Sequence, residues 1–237
     1  MTPSFQRAQA ASRDPAVTLL VLAPLALLHL SGRGAARSGV FSLVEMALER
    51  SGPAGSWILA AALVAAGLWC SGRIRKLELS WRAGAALAAA EGLAWGFALG
   101  PALRFLCAFL PFDQGPLSLG AWHSILAASA GAGLYEELLF RSLLLGGLLV
   151  LGRNLLQGMG QPEAAPLVAG LLALLVSSVV FSWAHVLGDP RALEPAVFGF
   201  RAVAGLLLGL LWWFRGLAAA AWAHATYDVL AMSGFWT

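Results

Sequence analysis

Two adjacent glutamates and an arginine form the most polar cluster within the apolar stretches of this sequence. Glu136, Glu137 and Arg141 lie in the segment YEELLFR at residues 135–141. On a helix, residues four apart share a face, so Glu137 and Arg141 can form an ion pair. Glu136 points about 100° away from Glu137 and is free to face a cavity. An ion pair that only fixes helix packing is the alternative, but it leaves Glu136 without a role.

Two histidines follow in the C-terminal half, each with a partner at helical spacing. Phe181 and His185 are four residues apart, and so are His224 and Asp228. The Asp228 carboxylate can orient or charge the His224 imidazole. Taken singly, either histidine is also explained by a structural or interfacial hydrogen bond. Three polar clusters on three apolar segments, with little other intramembrane charge, favour one shared site.

A glutamate and two histidines from different helices are suited to hydrolysis. Glu136 can accept a proton from a water that one histidine helps to hold. The second histidine can donate a hydrogen bond to the oxyanion that develops on a carbonyl. No serine–histidine or cysteine–histidine pattern marks a covalent nucleophile. The same trio of Glu136, His185 and His224 could instead hold a divalent metal or relay protons in a transporter.

These polar groups are conspicuous because the rest of the chain is apolar. Of 237 residues, 59% are hydrophobic and 11% are charged, whereas about 25% of the residues are charged in an ordinary soluble domain. This composition cannot supply the polar surface of a water-soluble globule, and it excludes disordered and disulfide-stapled secreted proteins. The net charge of +3 is small and lies in short basic clusters, which indicate membrane topology and no nucleic-acid partner.

The sequence therefore predicts an all-α, polytopic membrane bundle with an intramembrane cavity. A spanning helix needs about 20 mostly apolar residues. Seven segments approach or exceed this length: residues 16–30, 55–71, 83–110, 121–151, 167–186, 196–214 and 216–235. The polar clusters fall in the fourth, fifth and seventh segments. Residues 40–50 predict an interfacial helix, and residues 111–120 and 153–166 predict loops.

Four other polar residues are interpreted as structural. His29 and His123 have no polar company at helical spacing and are predicted to be interfacial residues at the ends of spans. Glu91 and Arg104 lie 13 residues apart on one long segment. We expect each of these two to find a partner within the bundle or at the membrane interface.

Counting basic residues by side orients the seven-span topology. One side holds Arg7, Arg13, Arg73, Arg75, Lys76, Arg82, Arg153 and Arg215, and the other holds Arg33, Arg37, Arg50 and Arg191. Because cytoplasmic loops carry an excess of basic residues, the count predicts a cytoplasmic N-terminus and an external C-terminus. His185 then lies at the outer end of its span, so we expect the cavity to open from the external half of the bilayer.

The ordered motifs resemble those of the CPBP family of intramembrane proteases, which includes the type II CAAX prenyl endopeptidases and their bacterial relatives. Three motifs carry the resemblance: Glu136-Glu137-x-x-x-Arg141, Phe181-x-x-x-His185 and His224-x-x-x-Asp228. The resemblance covers residues 119–237, which are predicted to form the catalytic helical core. Residues 1–118 are predicted to supply N-terminal membrane helices and a basic loop.

The resemblance implies a conical cavity in the membrane and hydrolysis of a peptide bond near the membrane-anchored end of a protein. By position, it implies that Glu136 is the catalytic base and that His185 helps to activate the water. It also implies that His224 and Asp228 stabilise the oxyanion. Three residues resemble the supporting set of the family: Glu137, Arg141 and Phe181.

Asp228 departs from the family pattern, in which this position is often asparagine. An ionised aspartate cannot donate to an oxyanion, so Asp228 either orients His224, or is protonated, or favours a metal. The resemblance implies a metal-free glutamate mechanism, and we expect no cofactor. The alternative is a divalent ion such as zinc on Glu136, His185 and His224.

We therefore expect a glutamic-type intramembrane endopeptidase that acts on a membrane-anchored protein or peptide. The Ala-, Gly- and Arg-rich composition suggests a high-GC bacterium, and hence a multi-pass protein of the inner, cytoplasmic membrane. Bacteria generally do not prenylate CAAX proteins, so we expect another substrate, and the compact chain is similar to sorting proteases of the myxosortase kind. The alternatives are a non-proteolytic binding or immunity protein of the same family and a proton-coupled transporter.

Overall fold

The computed structural model describes residues 3–32, 50, 52–77, 80–110, 122–161, 163, 165–187 and 190–235. The described residues form helices and turns and contain no strand, which confirms the all-α prediction. Their α-helices are α1 (Pro3–Ser12), α2 (Pro15–Ser31), α3 (Gly52–Lys76), α4 (Ser80–Leu106), α5 (Trp122–Gly131), α6 (Gly146–Gly158), α7 (Ala165–Ala184), α8 (Pro195–Arg215) and α9 (Leu217–Met232). The interfacial helix predicted at 40–50 and the loop predicted at 111–120 fall almost wholly outside these residues.

The helix that carries the two glutamates is not α-helical throughout. π-helical turns over Ala132–Glu136 and Leu138–Leu145 connect α5 to α6. Such turns are uncommon in proteins, and where they do occur they are often at functional sites. The predicted loop at 153–166 begins too early, because the helix continues to Gly158 and the chain turns only at Gly160, where φ is 78°.

Three helices in the described part of the chain, α4, α7 and α8, are long and apolar enough to cross a membrane. The segments Ser4–Ser12 and Pro15–Ser31 would make a fourth span if the pair, bent by 65°, counts as one. These helices support the prediction that the chain is an integral membrane protein. The predicted number of seven is not reproduced by this criterion, since α9 has only 16 residues and π-helical turns divide the helix with the glutamates. Seven spans therefore stay a prediction.

The bend between α1 and α2 is fixed by Asp14. Its side chain accepts a hydrogen bond from the backbone N–H of Ala16 at 2.9 Å, and Pro15 begins the helix. This is the usual way in which an aspartate satisfies the free N–H groups of a first helical turn. The other carboxylate oxygen lies 2.9 Å from Arg73 near the end of α3. The bend, the start of α2 and the end of α3 are therefore joined at one end of the bundle.

Helix α9 lies at the centre of the described bundle. It contacts α2, α4, α5, α8 and both π-helical segments. Small side chains make this possible, because α9 is rich in alanine and its buried residues are Ala218, Ala219, Ala220, Ala221, Ala223, His224 and Ala225. Close approach of backbones over small residues is the common mode of helix packing in membranes.

Two polar residues outside the three motifs also pack inside the bundle. His29 is only 5% exposed; its Nδ1 lies 3.2 Å from the Ala127 carbonyl oxygen, and its ring meets the Tyr135 ring edge to face. Its burial follows from the packing of α2 against α5, and its interfacial position at the end of a span stays a prediction. Glu91 has the partner expected within the bundle: it accepts a hydrogen bond from Arg215 Nε at 2.8 Å.

Candidate active site

Both glutamates of the first motif are buried where the two π-helical segments meet. Glu136 ends the first segment and Glu137 precedes the second, and the two residues are 3% and 0% exposed. Gly133 brings this part of the helix close to α9, since a Cβ there would lie 2.5 Å from the Ala221 carbonyl oxygen. The glutamates therefore face α9, the helix that carries the third motif.

Arg141 neutralises Glu137 and connects it to two further helices. Arg141 Nε lies 3.0 Å from Glu137 Oε2, and both side chains are buried, so the predicted ion pair is present. Arg141 also donates a hydrogen bond to the Gly205 carbonyl of α8 at 3.2 Å. Its guanidinium lies over the ring of Phe181 on α7, 4.5 Å from the ring centre. One buried cation thus positions Glu137 relative to α7 and α8.

His224 lies between the two glutamates. Its Nδ1 is 2.8 Å from Glu137 Oε1; because a carboxylate accepts, Nδ1 carries the proton of this hydrogen bond. Its Nε2 is 3.5 Å from Asp228 Oδ2 and 4.0 Å from Glu136 Oε2. Asp228 therefore contacts the imidazole as its spacing predicts, but the shorter contact is with Glu137. This contact was not predictable from the sequence, because a pair 87 residues apart leaves no signal in local spacing.

His185 meets Glu136 from the end of α7, where a short 3₁₀ turn begins. Its Nδ1 lies 2.8 Å from the Phe181 carbonyl oxygen, so Nδ1 carries a proton here too. Its Nε2 lies 3.7 Å from Glu136 Oε2. The side chain is 22% exposed, against 5% for Glu136. His185 therefore stands on the more accessible side of the cluster, with Nε2 directed at the glutamate.

Phe181 fills the space between the polar groups. Its ring centre lies 5.2 Å from Phe140, 4.8 Å from His185 and 6.0 Å from His224, each time edge to face.

Ser182 is a buried residue whose contribution was not predicted from the sequence. It donates a hydrogen bond to the Phe198 carbonyl of α8 at 2.8 Å. This bond holds α8 against the end of α7 that presents His185.

The structure brings every candidate site residue of the sequence analysis into one connected cluster on the π-helical segments, α7 and α9: Glu136, Glu137, Arg141, Phe181, His185, His224 and Asp228. Within the described residues, no group of three or more His, Cys, Asp or Glu side chains is placed to hold a metal ion. In this arrangement, the donor atoms of Glu136, His185 and His224 do not form a ready-made metal site.

Comparison with known proteins finds a family model that covers this cluster. Residues 118–230 match the family model described as type II CAAX prenyl endopeptidase Rce1-like, which confirms the resemblance seen in the motifs. The match includes every candidate site residue. No curated protein and no solved structure matches the chain. The matched family is described as an endopeptidase, that is, a peptide hydrolase.

Proposed function

We propose that the protein is a glutamic-type intramembrane endopeptidase in which Glu136 activates a water for attack on a peptide bond. One observation carries the proposal: Glu136 Oε2 lies 3.7 Å from His185 Nε2 and 4.0 Å from His224 Nε2. These three groups come from three different helices and converge beside a fully neutralised second carboxylate. The family match over residues 118–230 supports peptide hydrolysis as the reaction.

The hydrogen bonds of His185 define how a water would be held. With the proton on Nδ1 donated to the Phe181 carbonyl, the neutral imidazole keeps a lone pair on Nε2. Glu136 Oε2 is also an acceptor, so a water between the two can donate one hydrogen to each. Its lone pair is then directed away from both acceptors, towards a substrate carbonyl. As the O–C bond forms, Glu136 takes one proton of the water.

His224 is suited to stabilising the oxyanion. Glu137 accepts from Nδ1 at 2.8 Å and fixes the ring. When both ring nitrogens carry protons, the Nε2–H group can donate to the tetrahedral oxyanion. Asp228, 3.5 Å from Nε2, compensates the positive charge of that imidazolium. Asp228 therefore acts on His224 and not on the substrate, which accounts for an aspartate where the family often has asparagine. Collapse of the intermediate breaks the C–N bond, and Glu136 returns its proton to the leaving amine.

The same proposal specifies the setting of the reaction. The substrate is a membrane-anchored protein or peptide that is cut near its anchored end, and it is not a prenylated CAAX protein. The enzyme is a seven-span protein of a bacterial cytoplasmic membrane, with a cavity that opens from the external half of the bilayer. Within the family, the compact chain is similar to the sorting proteases. It works without a metal.

A carboxylate-to-amide change at Glu136 tests the function. We compare membrane-protein fragments, by mass spectrometry of protein termini, in deletion cells that express wild-type protein, Glu136→Gln or Glu194→Gln. Glu194 is exposed and provides the same chemical change outside the site. Fragments that depend on the wild type should persist with Glu194→Gln and decrease by at least about 10²-fold with Glu136→Gln, as for loss of a general base.

Three outcomes would contradict the proposal. If Glu136→Gln protein of normal abundance and melting temperature still generates the fragments, Glu136 is not the base. If no fragment distinguishes wild-type from deletion cells, a non-proteolytic binding protein or a transporter replaces the protease. If purified active protein contains one equivalent of zinc and loses activity when the zinc is chelated, the metal-free mechanism is wrong.

A further inference from the structure

A cavity lies between α4, α8 and α9, and none of the candidate active-site residues lines it. Its volume is about 460 Å³, within the range of roughly 300–1,000 Å³ that small-molecule sites occupy. Apolar side chains form its walls, among them Trp95 and Leu99 of α4 and Leu211 and Phe214 of α8. Arg215, the last residue of α8, is the only charged residue among the described residues that line it.

The charged end of this cavity carries more than one cation. Arg215 donates to both carboxylate oxygens of Glu91, through Nε and one terminal nitrogen. A guanidinium has five N–H groups, so Arg215 keeps donors for another anion. Arg13 lies beside it: its Cγ would be 3.6 Å from a Cβ at Gly216, the residue that follows Arg215. Arg13 is exposed and has no ion-pair partner among the described residues.

The cavity is charged at one end and apolar along its length, as an anionic lipid is. Both α4 and α8 are candidate membrane spans, and Arg215 ends α8, where a span reaches the interface. From Arg215 to Leu207 the lining follows α8 for about 12 Å towards the middle of the helix. The exposed aromatic rings of Trp95 and Phe214 flank it. Cations at the interface next to an apolar groove between helices are the features that recognise anionic lipid headgroups.

We propose that this groove binds an anionic glycerophospholipid, with one acyl chain against Leu99 and Leu211 and the phosphate between Arg13 and Arg215. No Ser, Thr, Asn, Gln, Asp or Glu side chain is present in the part of the lining that the structure describes. The backbone of a bound peptide would therefore leave N–H and C=O groups without partners, at a high cost in a membrane, whereas an acyl chain has no such groups. This binding site is independent of the proteolytic function and lies on other faces of α8 and α9.

Native mass spectrometry and thermal melts of the detergent-purified protein test the site. The probes are phosphatidylglycerol, phosphatidylcholine with the same acyl chains, and glycerol 3-phosphate as a soluble headgroup. We expect phosphatidylglycerol to bind more tightly than phosphatidylcholine, and glycerol 3-phosphate not to bind. Arg13→Gln should weaken phosphatidylglycerol binding about five-fold, the usual contribution of one interfacial arginine. Arg75→Gln, an exposed arginine that does not line the groove, should leave it unchanged.

A larger side chain in the groove tests whether the acyl chain binds there, because it blocks the groove without changing the charge of the arginines. Ala102 and Ala98 both line it. Ala102→Phe should abolish binding of phosphatidylglycerol, and Ala98→Leu, a smaller addition on the same wall, should weaken it if Ala102→Phe does not fold. Equal affinity for the two phospholipids, unchanged binding in the filled variants, or binding of glycerol 3-phosphate as tight as that of the lipid would each overturn the proposal.

Discussion

At the scale of single residues, the arrangement of the candidate site follows from how its three carboxylates are partnered. Glu137 is held by Arg141 and His224, and Asp228 faces His224. Glu136 is the third carboxylate. The shorter of its two histidine contacts, from Oε2 to His185 Nε2, measures 3.7 Å. Arg141 and His224 therefore compensate the negative charge of Glu137, whereas Glu136 keeps the capacity to accept a proton.

Removing Arg141 should damage the fold as well as the chemistry. Arg141→Ala leaves Glu137 buried without its cation, at an expected cost of about 3–5 kcal/mol in the free energy of unfolding. The double variant Glu137→Gln with Arg141→Ala removes both charges and should recover part of this loss. Thermal melts in detergent measure the difference, with Arg104→Ala, an exposed arginine, as the control. A double variant that is no more stable than the single one would mean that the pair does not contribute this energy.

Asp228 offers a test of how His224 works. If Asp228 compensates an imidazolium, Asp228→Ala should lower the rate of cleavage more than Asp228→Asn, because the amide keeps a polar contact and can itself donate to an oxyanion. Mass spectrometry of the membrane-protein fragments gives the relative rates, with expression and melting temperature as controls. Equal rates for the alanine variant and the wild type would remove Asp228 from the site.

Contacts within one helix were predictable from the sequence, and contacts between helices were not. Glu137 with Arg141 and His224 with Asp228 follow from a spacing of four residues, which is independent of tertiary packing. The bond between Glu137 and His224 depends on how α9 packs against the π-helical turns. His29 illustrates the same limit, because only the packing of α2 on α5 reveals its burial.

At the scale of the elements, the π-helical turns are the feature that the sequence did not disclose. An α-helical spacing of about 100° separates Glu136 from Glu137, and on that basis one carboxylate was expected to face the ion pair and the other a cavity. In the structure, both carboxylates reach the same imidazole, on opposite nitrogens. The predicted limits of α2, α4, α7 and α8 lie within a few residues of the observed limits, because long apolar runs mark these helices.

Gly133 should be indispensable for the packing of the first π-helical segment on α9. In Gly133→Ala, the new Cβ would lie 2.5 Å from the Ala221 carbonyl oxygen and 2.8 Å from Ala225 Cβ. We expect a loss of about 1–3 kcal/mol in stability, as for other overpacked sites, together with loss of cleavage. Gly147→Ala is the matched control, because nothing lies within 4 Å of a Cβ there. If the two variants melt alike, the close approach to α9 does not limit stability.

At the scale of the whole molecule, several basic residues counted on one side of the membrane meet at one end of the bundle. Arg73 pairs with Asp14 at the bend between α1 and α2, and Arg13 lies against Gly216, next to Arg215. These contacts support the grouping on which the predicted orientation rests. The apolar composition was sufficient to predict a helical membrane protein. The number of spans was less predictable, because short and broken helices do not show their limits as apolar runs of standard length.

Cysteine labelling tests the orientation. In a background without Cys70 and Cys107, Glu194→Cys at the start of α8 and Arg75→Cys at the end of α3 place exposed thiols at the two predicted sides. A membrane-impermeant thiol reagent should label the first in intact spheroplasts and the second only after the membrane is opened. The reverse pattern would put the accessible side of the cluster, where His185 lies, on the cytoplasmic side.

The central position of α9 also has a consequence for biosynthesis. Helices leave the ribosome in chain order, so α9, the central helix of the described bundle, is made after the helices that it contacts. Until it arrives, the surfaces of α2 and α4 that contact it have no cover, and the bond from Trp222 to the Val21 carbonyl, which joins residues 201 positions apart, cannot form. A nascent chain that stops before Leu217 therefore lacks the helix on which α2, α4, α5 and α8 pack, and we expect membrane quality-control proteases to remove it.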